Sequence, residues 1–254
     1  MKLKYYRHAT FLMTIHDRKF LVDPMYMKKG QIPPIPFTLN FHRNPLQNFP
    51  GEYPVIEEKD VVLITHHHFD HFDKIAAKKL CKRSLVISPA NGFKRLQRMG
   101  FKNILPLSPG QIVEIKSFKI QAVPVKHSQR LEKLLYKPGI GYLIQFAKGN
   151  IYISGDTVLF NDLADFLKKY SVDLAIFYGG AARIPLLGRH TLSGEEILSL
   201  INDIQPRSSV IIHLNGLNHC TEDRQDVKAS VDSVNITSEV ILPLSGEEHI
   251  FDSL

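Results

Sequence analysis

The sequence predicts an α/β sandwich, two sheets with helices outside, rather than a single parallel sheet. Two patterns carry this expectation. Strand-like runs dominate the start of each half of the chain, and helix-like runs alternate with strands later in each half. The run "DVVLIT" (60–65) is also short and wholly apolar, the signature of a strand covered on both faces. At 254 residues and 44% hydrophobic, the chain can bury one substantial core and lies near the upper size limit of a single domain.

The elements follow in order. "LKYYRHATFLMTIHDRKFLVDP" alternates, is rich in aromatic and β-branched residues, and turns at "HDRK", so it reads as strands ending at Asp23-Pro24. A Pro-rich stretch at about 28–54 then reads as one long loop. Loops of that length in compact domains are usually functional or disordered, and Phe37, Phe41, His42, Phe49 and Tyr53 are its candidates for covering a cleft. After "DVVLIT" come a helix from about Lys74, the strand "SLVISP", and a helix near "NGFKRLQRMG" closed by Gly100. "QIVEI" and "FKIQAVPV" form a hairpin pattern. "GYLIQF" and "NIYISGDT" precede a helix around "FNDLADFLKKY", and "DLAIFYGG", "SVIIHLN" and "EVILP" alternate with helices at "SGEEILSLINDI" and "EDRQDVKASVDSV". No repeat or linker interrupts the series, so one domain over 1–254 is expected.

Composition narrows the function classes. No apolar run reaches the length of a membrane span. The N-terminus breaks its apolar stretch with Arg7 and His8 and lacks a small-residue cleavage pattern, so it does not read as a signal peptide. Two cysteines in unrelated contexts, Cys81 and Cys220, fit structural roles in a reducing cytoplasm. The net charge of +7 is scattered rather than gathered into a tail; it permits an anionic partner without requiring one.

The chemistry is concentrated in "LITHHHFDHFD" (63–73). His66 and His68 are two apart and point the same way in an extended segment. Asp70 and His71 follow as the chain turns into a helix, which aims them at a second point nearby. Two metal ions suit this spacing, one held by imidazoles and the other by a carboxylate plus an imidazole. The plain alternative is a histidine-rich surface loop that binds nothing, and the order of these residues argues against it.

H-x-H-x-D-H after a hydrophobic strand resembles the signature of the metallo-β-lactamase superfamily of metal-dependent hydrolases. That resemblance implies a four-layer αββα sandwich and further ligands at later strand ends, and the chain has candidates in order. His127 after "FKIQAVPV" matches the third ligand of the first metal, beside His66 and His68. Asp156 in "NIYISGDT" matches the bridging carboxylate. His213 in "SVIIHLN" matches the last ligand of the second metal, beside Asp70 and His71. His67 and Phe69 fall at spacer positions.

"RHATFLMTIHDRKFLVDP" is similar to the opening of a narrower group that includes ascorbate-6-phosphate lactonase and the N-acylphosphatidylethanolamine-hydrolysing phospholipase D. By that likeness Asp23 hydrogen-bonds a ligand histidine and fixes its tautomer, while His8 either faces the site or is a half-buried strand residue. The group often has a histidine where "GRHTLSGEEIL" places His190, implying a catalytic or substrate contact there alongside Asp70 and Asp156. A capping box from Ser193 to Glu196 is the local alternative, and both readings can hold. Arg7 departs from the group, which usually has Gly at that place. His219 is a further candidate for the cleft, and Cys220 is expected to be structural.

The implied mechanism is hydrolysis of an ester, lactone or phosphodiester, of a small and preferentially anionic substrate, by a hydroxide held between two divalent metals. Zinc suits the ligand types, and manganese or iron are compatible. No G-x-S-x-G or phosphate-binding loop competes for the role. The alternatives are a nuclease of the same superfamily, disfavoured because there is little room for a nucleic-acid-binding arm, and a metal-binding module without turnover.

Overall fold

The computed structural model describes residues 1–128, 139–185 and 187–254. Before the expected turn at "HDRK" the chain already turns once. β1 (Lys2–Arg7) folds back onto β2 (Thr10–Ile15) at His8–Ala9, with His8 at φ +51° and a register shift between Tyr5 and Arg7. β3 (Arg18–Val22) returns antiparallel to β2. β4 (Val61–Leu63), β5 (Leu85–Pro89) and β6 (Asn103–Leu107) then add on in parallel. β6 was not legible as a strand. It contains Pro106, which a sheet tolerates at its edge, and β6 is an edge strand.

The second sheet begins as an antiparallel meander, β7 (Ile112–Ile115), β8 (Phe118–Pro124), β9 (Ile140–Phe146) and β10 (Gly149–Ile153). It continues in parallel through β11 (Leu174–Tyr178). A small ribbon follows, β12 (Arg183–Ile184) with β13 (Gly188–Arg189), and then β14 (Ser208–Ile212) and β15 (Glu239–Ile241) complete the sheet. A final short strand, β16 (Glu248–Ile250), pairs with β1 and closes the first sheet.

The facing sides of the two sheets bury Phe11, Phe20, Leu63, Ile144, Ile153 and Tyr178 against each other. Helices α1 (Lys74–Lys79) and α2 (Phe93–Arg98) cover the outer face of the first sheet, where Ala76 and Leu96 meet Val62 and Val86. Helices α3 (Asn161–Lys168), α4 (Gly194–Ile204) and α5 (Arg224–Asp232) cover the second, where Leu167, Ile197 and Val227 meet Tyr152, Phe177 and Ile211. This is the four-layer αββα order expected.

Strand direction positions the site. β1, β3, β4 and β5 run one way in the first sheet, and β8, β10, β11 and β14 share a direction in the second. In α/β sheets ligands bind beyond the carboxyl ends of strands. His8 follows β1, Asp23 follows β3, His66 follows β4, His127 follows β8, Asp156 follows β10 and His213 follows β14.

The connection from β3 to β4 spans 23–60 with no helix or strand, only an isolated bridge between Ile32 and Asn44. Two buried side chains hold it down. Arg7 donates to the carbonyls of Gln47 and Met27 and lies over the Phe49 ring, 5.4 Å from its centroid. Arg7, where the narrower group usually has Gly, thus clamps the loop. At the other end, Asn218 Nδ2 donates to Thr38 Oγ1 (2.6 Å) and the Asn40 carbonyl (2.7 Å), while its Oδ1 accepts from Ile35 N (2.9 Å) and Asn44 Nδ2 (2.7 Å). Such bonds contribute about 0.5–1.5 kcal/mol each, and more is lost when buried partners are orphaned. Asn218→Ala is therefore expected to raise the rate of chymotryptic cleavage at Phe37 and Phe41 by roughly tenfold through local opening, with metal content unchanged. A cleavage rate equal to the parent's would show that the loop is held without Asn218.

Candidate metal centre

The hydrophobic strand β4 delivers Thr65 and His66 into a tight turn, and Asp73 caps the helix behind it. Asp73 Oδ1 accepts from Ile75 N and Ala76 N, and Oδ2 accepts from Tyr26 N and Met27 N. The turn is thereby fixed to both α1 and the segment after β3.

Asp23 lies beneath the cluster, fully buried. Its Oδ1 accepts from Thr65 N (2.7 Å), and its Oδ2 accepts from Thr65 Oγ1 (2.6 Å), Tyr178 OH (3.0 Å) and His71 Nδ1 (2.8 Å). Because Thr65 Oγ1 gives its proton to Asp23, it is an acceptor toward His66 Nδ1 at 3.2 Å. Both His66 and His71 therefore carry their proton on Nδ1 and turn Nε2 inward. Thr65 and Tyr178 had no sequence signal of their own; a β-branched strand end and a core tyrosine look alike whether or not they support a site.

Asp156 stands at the centre. Its Oδ2 lies 3.4 Å from His71 Nε2 and 3.7 Å from His66 Nε2, and its Oδ1 lies 3.5 Å from His213 Nε2. Asp70 Oδ2 lies 3.4 Å from His71 Nε2. His66, His68 and His127 converge as one set of donors, His66, His71 and Asp156 as another, and Asp70, His71 and His213 as a third that also includes His8. All seven residues expected as ligands are thus brought together. The Nε2 atoms of His66, His71 and His213 and Oδ1 of Asp156 are buried without a hydrogen-bond partner among the described residues. Orphaned buried polar atoms cost about 1–3 kcal/mol each, and cations bound among them would satisfy them. The donor set, imidazole nitrogens with carboxylate oxygens, fits a divalent metal.

Electrostatics agree with that fit. Burial pushes the His66 and His213 imidazoles well below their ordinary range and His127 down to about 4, so they are neutral and able to ligate. His71 is the exception. Burial opposes its charge, but Asp156, Asp70 and Asp23 outweigh it and hold the imidazole well above its ordinary pKa. In turn, burial raises Asp70 and Asp156, and neighbouring histidines, His71 foremost, bring both well below the usual carboxylate range.

A cavity of about 270 Å³ opens onto the cluster, lined by His68, Asp70, His127 and Asp156 and by the apolar Ile35, Pro36, Phe69 and Ile184. His190 and His219 complete it. His190 Nδ1 donates to the His127 carbonyl at 2.9 Å, while Ser193 and Glu196 form the capping box of α4, so both sequence readings of that stretch hold. No Lys or Arg lines the cavity among its described residues. The loop does reach it, but through Ile35 and Pro36. Phe37 and Phe41 point outward at 78% and 80% exposure, and His42 is exposed. Tyr53 stacks on Tyr26 instead, and Phe49 meets Tyr26 edge-on. Short alternating aromatics carried no information on which residue of the loop faces inward.

His67 packs on α2's approach, where a Cβ on Gly92 would lie 1.5 Å from its Nε2. Cys220 donates to the His213 carbonyl at 3.5 Å, and burial pushes its thiol up to about 12, so it is structural there. Cys81 is half-buried just after α1 rather than inside it, and both cysteines are free.

A family model described as "Beta-lactamase superfamily domain" matches residues 2–214. The chain belongs to that superfamily. Among its superfamily relatives, it is 28% identical over 259 residues to UPF0173 protein YddR of Bacillus subtilis (strain 168), covering 99% of this chain and 100% of that one. It is 23% identical over 255 residues to a UPF0173 metal-dependent hydrolase of Methanopyrus kandleri, with 98% and 99% covered. In structure it is similar to the isothiocyanate hydrolase from Delia radicum gut bacteria, with TM-score 0.88, 24% identity and 99% of each chain covered. No helix among the described residues is long and apolar enough to cross a membrane.

Proposed function

We propose that the protein is a metal-dependent hydrolase of small esters or lactones that carry an apolar group. The observation that carries this reading is the convergence of six buried or half-buried ligand residues around Asp156, at a cavity that is also lined by apolar side chains. In this reading His66, His68 and His127 would hold one divalent ion, Asp70, His71 and His213 would hold a second, and Asp156 would be available to both. Bound metal would supply an acidified water as nucleophile and a Lewis acid for the substrate's oxygen.

The chain's own residues do the rest. Thr65 and Asp23 keep Nε2 of His66 and His71 directed inward. Asp70 and Asp156 stay ionised at neutral pH and offer anionic oxygens to the cations. His190, kept neutral by burial and tied by Nδ1 to the His127 carbonyl, is placed to hydrogen-bond substrate rather than to protonate it. Ile35, Pro36, Phe69 and Ile184 exclude water from the apolar substituent. The His8-Ala9-Thr10 triplet and Asp23-Pro24 support a place near the lactonase and phospholipase D group named above. The apolar part of the lining, and the absence of Lys or Arg among its described residues, tilt the substrate toward a neutral molecule, although the chain is basic overall.

The test has two stages. Metal content is measured on protein purified without added metal and again after zinc or manganese is supplied; about two equivalents per chain are expected. Turnover is then measured on a neutral aryl ester, a γ-lactone, a phosphodiester and, because the neighbouring structure is named for it, an aryl isothiocyanate. Chelator-sensitive hydrolysis of a neutral substrate is the expected result. A chain that holds no metal even when supplied would overturn the hydrolase reading, and faster turnover of the phosphodiester would overturn the neutral preference.

A further inference from the structure

We infer that His8 is a ligand of the second metal ion, alongside Asp70, His71 and His213. The superfamily signature contains no residue from this part of the chain, so the assignment rests on geometry; it also rests on the metal reading above. His8 is completely buried at the β1–β2 turn. Its Nε2 lies 3.2 Å from Asp70 Oδ2, beside the 3.4 Å separation of His71 Nε2 from the same oxygen. Donors that share one ion with bonds of about 2.1 Å lie roughly 3.0–4.2 Å apart, and both separations fall in that range. One donor atom from each of His8, Asp70, His71 and His213 lies within 4.8 Å of the other three.

The backbone holds the imidazole in this place. His8 and His213 both adopt left-handed backbone, φ +51° and +68°, a conformation uncommon for non-glycine residues. The two are joined by His213 N donating to the His8 carbonyl at 3.0 Å, and their rings lie 3.8 Å apart. Gly216 leaves the space behind: a Cβ there would sit 2.3 Å from His8 Nδ1, so the ring's back edge presses on bare backbone and Nε2 is the atom that faces the cluster. Nδ1 of His8 has no partner among the described residues, and the same is true of His213, an expected ligand.

The consequence is asymmetry. The first ion would have His66, His68 and His127 with Asp156, and the second would have three imidazoles with Asp70 and Asp156. A site with that many donors favours five or six ligands over a tetrahedron, which suits manganese or iron as well as zinc.

The competing role for His8 is to position Asp70 by donating a hydrogen bond from Nε2. His8→Gln separates the two, because its amide can donate to Asp70 but cannot replace an imidazole ligand. Parent, His8→Ala and His8→Gln are stripped, reloaded with Co(II) and dialysed against graded chelator, and bound cobalt is counted. If His8 ligates, both variants keep the first equivalent and lose affinity for the second by at least tenfold. Parent-like retention in His8→Gln alone would make His8 a positioning residue, and parent-like retention in both would leave it no role; either overturns the inference. Should the variants not fold, the parent loaded with Co(II) answers by proton NMR. One more hyperfine-shifted imidazole N–H than His66, His68, His71, His127 and His213 account for is the supporting result, and none beyond those five opposes it. A parent that binds no cobalt would instead defeat the hydrolase reading itself.

Discussion

Asp156→Ala is expected to abolish hydrolysis and to reduce bound metal from about two equivalents per chain to one or fewer. Its carboxylate is the group within 3.7 Å of Nε2 on three of the histidines, so no other side chain can take over both of its directions. Loss of a residue that merely supports a ligand typically costs 10- to 100-fold in affinity or activity; loss of the shared ligand should exceed that, with activity down by on the order of 10³-fold or more, as for removal of a group aimed at the reacting charge. His67→Ala is the control. It lies in the same histidine run but packs toward Gly92, and it should keep parent-like metal content and activity. Elemental analysis and turnover on the same preparations decide the matter. Equal losses in the two variants would mean that the ligands are assigned wrongly.

The second large effect is expected at Asp23, which touches no substrate. Asp23→Ala leaves Thr65 N, Thr65 Oγ1, Tyr178 OH and His71 Nδ1 without their acceptor in a fully buried place. Breaking a buried charged pair of this kind costs about 3–5 kcal/mol, so the melting temperature should fall by several degrees. Asp23→Asn is the more informative change. It keeps shape and packing, but if its amide oxygen serves Thr65 its NH2 faces His71. His71 Nδ1 must then accept, its proton moves to Nε2, and Nε2 can no longer ligate. The folded variant should therefore bind its second metal equivalent 10- to 100-fold more weakly. Two equivalents held with parental affinity would show that the His71 tautomer is not set by Asp23.

These two variants also mark where sequence reasoning reached and where it stopped. The clustered donors were legible because histidines and aspartates of metal-binding type fall in the turns that follow apolar strands, a pattern that survives in one dimension. What supports them was not. Thr65 and Tyr178 meet at Asp23 from positions 42 and 155 residues away along the chain. His8 read equally well as a strand residue, since only the turn at Ala9 and the close approach of Gly216 decide its direction. In the Pro-rich loop the aromatics stood out, yet the cavity is met by Ile35 and Pro36; Asn218, five residues past His213, governs which part of the loop lies inward. The strand containing Pro106 was hidden by its own proline. Tertiary neighbours, not local propensity, settle each of these points.

The same loop has an evolutionary consequence. Its neck is stitched shut where Ile32 and Asn44 exchange two backbone hydrogen bonds of 2.9 Å, and Gly30 N reaches the Pro45 carbonyl. Chain inserted between those points does not pull on the strands, and doubling such a segment costs only about 0.6 kcal/mol in closure entropy. None of the eight residues assigned to the metals, His8 included, lies within it. Descendants of this chain could therefore trade one substrate for another by rewriting residues 33–43 as a cassette, while the hydrolytic centre was inherited without change.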